Sequence, residues 1–161
     1  MSDVILQSVL RFTDEDLAAN RQKRLSPAQQ QHLNQQLMQW AGTATAALGF
    51  AAFLFLIVQN LLFIAIVSGL AGLYFLYRTV MVLSDLRAGE VANISGKAHI
   101  ERKQQTDDDA ERKPQYILTI GLKRFEGISH VIGAFEEGHD YIVYYAPRSE
   151  QILSAERIEY A

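Results

Sequence analysis

The stretch FLIVQNLLFIA, Phe55 to Ala65, sets two amides, Gln59 and Asn60, in the middle of a run with no charged side chain from Ala41 to Tyr77. As one helix those 37 residues would reach about 55 Å at 1.5 Å per residue, far beyond a hydrocarbon core of about 30 Å. One straight span is therefore excluded. Divided at the amides, the run gives two segments, 41–58 and 61–77, each about 26 Å long as a helix and matched to a slightly thin bilayer. A helical reversal leaves backbone groups unpaired. It needs water or headgroups, which Gln and Asn side chains suit.

The ends of the run agree. Trp40 stands where the first span enters, and Tyr74, Tyr77 and Arg78 stand where the second leaves, positions that amphipathic rings and a snorkelling cation favour. The expected fold is thus a membrane α+β protein built on a transmembrane helical hairpin. The other reading of the run, a buried hairpin in a soluble protein, needs more covering material than the chain has.

Whole-chain averages conceal this. A net charge of -3 resembles a soluble domain, yet residues 1–40 carry four basic and four acidic side chains, 41–77 none, and 78–161 eleven basic and fourteen acidic. There is no cysteine, which excludes disulfides, thiolate metal sites and a cysteine nucleophile. The start, MSDVILQSVLRFTDED, lacks a basic region followed by an apolar one, so no cleavable leader is expected. Arg21, Lys23 and Arg24 precede the first span and Arg78 and Arg87 follow the second, while the turn carries no cation. Both termini are then expected in the cytoplasm of a bacterium whose inner (cell) membrane holds the chain.

Small residues recur at four-residue spacing in the spans: Thr45 with Gly49, Ala47 with Ala51, Ala65 with Gly69, and Ser68 with Gly72. Such pairs let helices approach closely. They are read as helix–helix packing sites, between the two spans or between subunits. No ionisable residue lies within the run, which argues against a proton relay or a haem with intramembrane histidines.

Ahead of the membrane, FTDEDLAANRQKRLSPAQ carries two helix-start signals. Thr13 caps a helix with Asp16 as the reciprocal partner, and Phe12 and Leu17 form a staple. That helix is expected to end near residues 20–22. Ser26 caps a second with Pro27 at its first position, continuous from Pro27 to the amide turn. Its juxtamembrane face carries Leu33, Leu37 and Trp40 at helical spacing, a stripe expected to dock on the chain's own C-terminal domain or on a partner. His32 is read as a solvated helix residue.

Past Ser84 the period changes to two. From Ala92 to Glu101 apolar or small residues alternate with polar ones, the pattern of a half-buried strand. TDDDAERKP is a polar reversal, and QYILTIG, RFEGI, DYIVYYA and QILSAE are further strands. SHVIGAFEEG reads as a short helix capped by Ser129 and ended by Gly138. Five strands with a helix between the third and fourth is the order of an OB-like barrel, with an SH3-like barrel as the related alternative. The expected division is 1–40, a cytoplasmic N-terminal segment; 41–83, the hairpin with its turn at 59–60; and 84–161, a cytoplasmic five-stranded β-barrel.

On that layout, over residues 41–156, the chain resembles NfeD-type membrane proteins. DLAANRQKRLSPAQ and YYAPRSEQILSAE are similar to segments of small bacterial two-helix membrane proteins with a C-terminal β domain. Neither resemblance implies an activity.

No catalytic, cofactor or metal site is expected. TDDDA lacks the alternation and following Gly and Glu of a calcium loop. His99, His130 and His139 have no metal-ligand spacing, and no serine lies in a nucleophile elbow. Tyr141, Tyr144 and Tyr145 lie in an acidic segment, without the basic groove that single-strand binders use, and no nucleic acid is expected. In YYAPRSEQ, Arg148 is the anion or partner contact beside a turn set by Pro147. The function expected is a non-enzymatic, membrane-anchored accessory or scaffold subunit that contacts lipids and other membrane-protein subunits. The alternative is a membrane-organising protein whose hairpin self-associates.

Overall fold

The computed structural model describes residues 2–57, 61–102 and 115–158. The expected turn at Gln59 and Asn60 and the acidic reversal TDDDA lie outside these residues. The elements are α1 (Ser2–Leu10), α2 (Asp14–Arg21), α3 (Pro27–Ile57), α4 (Leu62–Ala88), β1 (Ala92–Arg102), β2 (Gln115–Ile120), β3 (Lys123–Ile128), α5 (Ser129–Ile132), β4 (Asp140–Tyr145) and β5 (Ile152–Arg157). The chain forms two compact units. One joins residues 1–26 to 90–161; the other is 27–89. These units divide where α3 begins and α4 ends, because both helices run on past the apolar run.

In the first unit the capping box forms as expected. Thr13 Oγ1 accepts from Asp16 N–H, and the Asp16 carboxylate accepts from Thr13 N–H at 2.8 Å. Lys23, at φ +59, closes α2, with Arg24 N–H donating to Ala19 O. α1 was not foreseen. Arg11 closes it at φ +57, and Phe12 N–H donates to Gln7 O. Its stripe of Leu6, Val9 and Leu10 packs into the sheet's core, where Leu6 is fully buried.

The sheet has five antiparallel strands in the order β3-β2-β1-β4-β5. It is open, which corrects the expected closed OB-like or SH3-like barrel: β3 and β5 are the two edges and share no ladder. Helices α1 and α2 lie against β5, and Leu6 and Phe12 supply core that a closed barrel would draw from its own strands. Across the opening, side chains of β3 reach the end of β4 and the β4–β5 turn: the Phe125 and Tyr145 rings stand edge-on at 5.3 Å and Lys123 bridges to Glu150. β1 serves two ladders, Ala92–Lys97 with β4 and Ala98–Arg102 with β2. At the change of partner a Cβ on Gly96 would stand 2.8 Å from Gly121 N, so the β2–β3 turn crosses β1 at a distance only glycine permits.

The expected helix after β3 is shorter than its stripe implied. It ends at Ile132, though Ile132 and Phe135 both enter the core.

Candidate functional site

The second unit is the helical pair α3 and α4. Pro27 opens α3 as expected, and the helix runs 31 residues without a break. α4 runs on past the apolar run, which ends at Tyr77, through Ala88 to a left-handed Gly89 whose N–H donates to Asp85 O. The two helices pack antiparallel: a Cβ on Gly69 would meet Ala51 at 3.9 Å, one on Gly72 would meet Leu48 at 2.7 Å, and the Trp40 ring stacks on Phe75 at 5.5 Å. The seam on α3 comprises buried Leu33, Ala44, Ala51 and Leu54 with half-buried Leu37, Trp40 and Ala47 between them. That alternation of three- and four-residue steps is the coiled-coil repeat. On α4, buried Ala65, Gly72 and Val82 alternate with half-buried Ser68, Phe75 and Thr79 in the same way.

The expected packing residues therefore divide. Ala65, Ser68, Gly69 and Gly72 are on the seam or at its margin. Thr45 and Gly49 are exposed, and nothing lies within 4 Å of where a Cβ on Gly49 would stand. The face read as a docking stripe is occupied inside the chain: Leu33 is fully buried, Leu37 half-buried, and Trp40 is held between Phe75 and the Arg78 guanidinium, 5.8 Å above its ring. Sequence spacing showed that the stripe needed cover but not what supplied it, because Phe75 and Arg78 reach it only through the antiparallel register.

From Phe50 on α3 and through Tyr77 on α4, large apolar side chains lie outside the seam. Phe50, Phe53, Phe55 and Leu56 on α3 and Leu62, Phe63, Ile66, Leu70, Leu73 and Tyr77 on α4 are exposed. Both helices are long and apolar enough to cross a membrane. Three threonine hydroxyls on the pair are turned to their own backbone, Thr43 donating to Gln39 O, Thr45 to Ala41 O and Thr79 to Phe75 O, which satisfies them without water.

In the sheet unit the polar groups form structural networks. Asn20 Nδ2 donates to Ser154 Oγ at 2.6 Å, both residues fully buried. The next residue, Arg21, bonds to Glu156, which also accepts from Tyr144 OH at 2.7 Å. Burial pushes the Tyr144 phenol up to about 12, with the Glu156 carboxylate adding to it. Burial alone would raise Glu156, but hydrogen bonds from Arg21 and Tyr144 hold it below the usual carboxylate range. None of these pairings was read from the sequence, since Asn20 and Ser154 are 134 positions apart and no local pattern joins them. Tyr141 is fully buried, its oxygen accepting from Glu136 N–H, and Tyr145 lies against Phe125. Arg148 is exposed on the β4–β5 turn.

Among the described residues no three metal-binding side chains converge. His99 has Glu137 at Nδ1, 2.5 Å away, and Glu101 at Nε2, 3.5 Å away. The two carboxylates face opposite ring nitrogens, so they cannot close on one ion with it. His32 is bonded to Gln36 on its own helix.

No protein-family model matches the chain, and no curated protein and no solved structure matches it at a significant level. The likeness to NfeD-type proteins thus rests on layout alone: two long apolar helices followed by a strand-rich unit.

Proposed function

We propose that the chain is a membrane-anchored, non-enzymatic accessory or scaffold subunit, whose hairpin crosses a bacterial inner membrane and whose sheet unit docks a partner on the cytoplasmic side. The observation that carries the first half is the apolar exterior of α3 and α4. Soluble monomers rarely expose contiguous apolar patches beyond a few hundred Å², and here exposed Phe and Leu side chains continue along both helices while the polar hydroxyls are satisfied internally. Lipid tails are the solvent that fits such a surface. Arg21, Lys23, Arg24, Arg78 and Arg87 at the open end of the hairpin favour cytoplasmic termini.

The second half rests on the sheet unit. Its open five-stranded sheet leaves edge strands β3 and β5, and a strand edge is a surface on which another chain can dock. Its polar groups pair with one another rather than gather around a cleft. That arrangement supports binding over catalysis, and Arg148 on the β4–β5 turn is the exposed contact we assign to a partner.

A second reading, self-association of the hairpin, is favoured by one observation: Gly42 and Gly49 weaken α3, as glycine does in any helix, yet among the described residues nothing lies within 4 Å of where a Cβ on either would stand. Copurification from detergent separates the two. A stoichiometric membrane-protein partner supports the accessory subunit, and a homo-oligomer supports self-association. Release of the chain from membranes by alkaline carbonate overturns both. For orientation, a cysteine at Asn60 is expected to react with impermeant reagent from outside intact cells, and one at Ser2 or Ala161 only after lysis.

A further inference from the structure

β1 is paired with β4 only as far as Lys97, so beyond that residue no strand among the described residues lies beside the edge turned away from β2. A short strap takes its place. Ala98 N–H donates to His139 O at 2.8 Å, and Gly138 N–H donates back to Ala98 O at 2.8 Å. The next outward amide, Ile100 N–H, donates to the side chain of Glu137 at 2.6 Å, and the other oxygen of that carboxylate lies 2.5 Å from His99 Nδ1. A side-chain carboxylate thus does what a strand carbonyl would do. Residues 136–139 are all exposed, so no buried side chain within the strap holds it. Its first residue is tied down by Arg157 at 3.0 Å and by Tyr141. Segments held by exposed hydrogen bonds without apolar burial open first, and a bare strand edge is a template for another strand.

We propose that residues 136–139 are a detachable strap, and that the edge they withhold, Ala98–Arg102, is a strand-pairing site for a second copy of this chain. The edge is complementary to itself. An antiparallel pair centred on Ile100 sets Ile100 against its own copy, and the outward groups of Ala98 and Ile100 already have the alternation such a ladder uses. The same register sets His99 opposite the partner's Glu101 and Glu101 opposite the partner's His99. These are pairs without backbone hydrogen bonds, where side chains are closest, so an imidazole N–H of one copy can donate to the Glu101 carboxylate of the other. Within one chain the Glu101 carboxylate already lies 3.5 Å from His99 Nε2 and 3.6 Å from Arg124, so the copy extends an existing polar pattern.

Two measurements on the full-length chain in detergent test this. Amide exchange comes first. Glu137→Ala is expected to speed exchange at Ile100 by at least about tenfold, the loss of one charge-assisted hydrogen bond, with Glu137→Gln between it and the parent because the amide oxygen still accepts. Unchanged protection overturns the strap. The second uses the absence of native cysteine: differently tagged copies carrying His99→Cys or Glu101→Cys are mixed under mild oxidation. A mixed disulfide is expected, forming at least about tenfold faster when both copies also carry Glu137→Ala, while either cysteine variant alone gives little dimer. A 99–101 bond that forms equally fast with Glu137 present means the edge is unguarded, and its absence in Glu137→Ala means a second copy is not what the edge takes. Either result overturns the proposal.

Discussion

Arg24 and Glu90 form an isolated antiparallel bridge, although the whole of α3 and α4 separates them in sequence. Val91 N–H donates to Lys23 O at 3.1 Å, which makes Arg24 and Glu90 a pair without hydrogen bonds of its own, the kind whose Cα atoms stand about 4.5 Å apart. Within the sheet unit, the chain therefore leaves for the hairpin and returns from it at one place. That separation lies at the close end of the disulfide range. Arg24→Cys with Glu90→Cys is expected to oxidise within one chain, read as loss of free thiol without a dimer on a non-reducing gel, and to stabilise the sheet unit against denaturant by about 2–4 kcal/mol. Thiols that stay free under mild oxidation would show that the bridge opens.

Gly72 and Gly49 make opposite predictions. A side chain at Gly72 meets Leu48 at 2.7 Å and its backbone nitrogen at 3.2 Å, whereas one at Gly49 meets nothing within 4 Å. Gly72→Leu is expected to force α3 and α4 apart at about 1–3 kcal/mol, read as earlier unfolding in a detergent titration. Gly49→Leu is expected to leave that transition in place or raise it slightly through helix propensity. Should Gly49→Leu also abolish a homo-oligomer, the self-association reading gains its interface.

The helix starts were legible because each is written in contiguous residues: Thr13 with Asp16, and Ser26 with Pro27. The apolar run was legible because it has no charge. What was missed depends on distance. Arg78 read as the end of a lipid-crossing segment, yet nothing in TVMVLSDLRA interrupts a helix before Gly89, and α4 continues through it. Leu6, Val9 and Leu10 form a stripe without a start signal, so α1 gave no local sign, and without α1 the five strands looked able to close on themselves. Whether β3 meets β5 is decided by which residues fill the space beside β5. The Asn20–Ser154 and Arg21–Glu156 bonds are invisible for the same reason, since each joins the chain's two ends.

Tyr144 carries an alkaline signature. Its phenol is raised from 10 to about 12 by burial and by Glu156. A group whose folded value lies above its unfolded one stabilises fully below the unfolded value and stops doing so as pH climbs through the folded one. The contribution of Tyr144 is therefore present below about pH 10 and lost between 10 and 12. A tyrosinate titration is expected to show one phenol ionising late, near 12, and Tyr144→Phe should remove it and flatten the stability loss over that window. Glu156 acts at the other end. Its lowered value keeps the Arg21 and Tyr144 bonds intact to below the ordinary carboxylate value of 4.5, so their stabilisation is full above 4.5 and is lost as pH falls through that lowered value. If Tyr144→Phe leaves the late phenol in place, the Tyr144–Glu156 bond is not the one that forms.

Leu33 and Met38 decide whether the stem outside the apolar run docks a partner. Leu33 is fully buried and Met38 is 73% exposed on the same helix, so they separate folding from binding where a change at Leu33 alone could not. Leu33→Asp buries an unpaired carboxylate among apolar groups and is expected to cost several kcal/mol, seen as poor accumulation or early unfolding. Any loss of partner in that variant reports on the fold. Met38→Asp removes no buried contact and is expected to unfold with the parent. Loss of copurification in Met38→Asp alone places the partner on the outer face of the stem. If copurification survives Met38→Asp and falls with Arg148→Ala, the partner is held by the β4–β5 turn, and the α3 stem serves as a spacer. Survival of both variants with a partner still bound removes the two surfaces from the accessory-subunit reading and leaves the exposed apolar sides of α3 and α4 as the docking site.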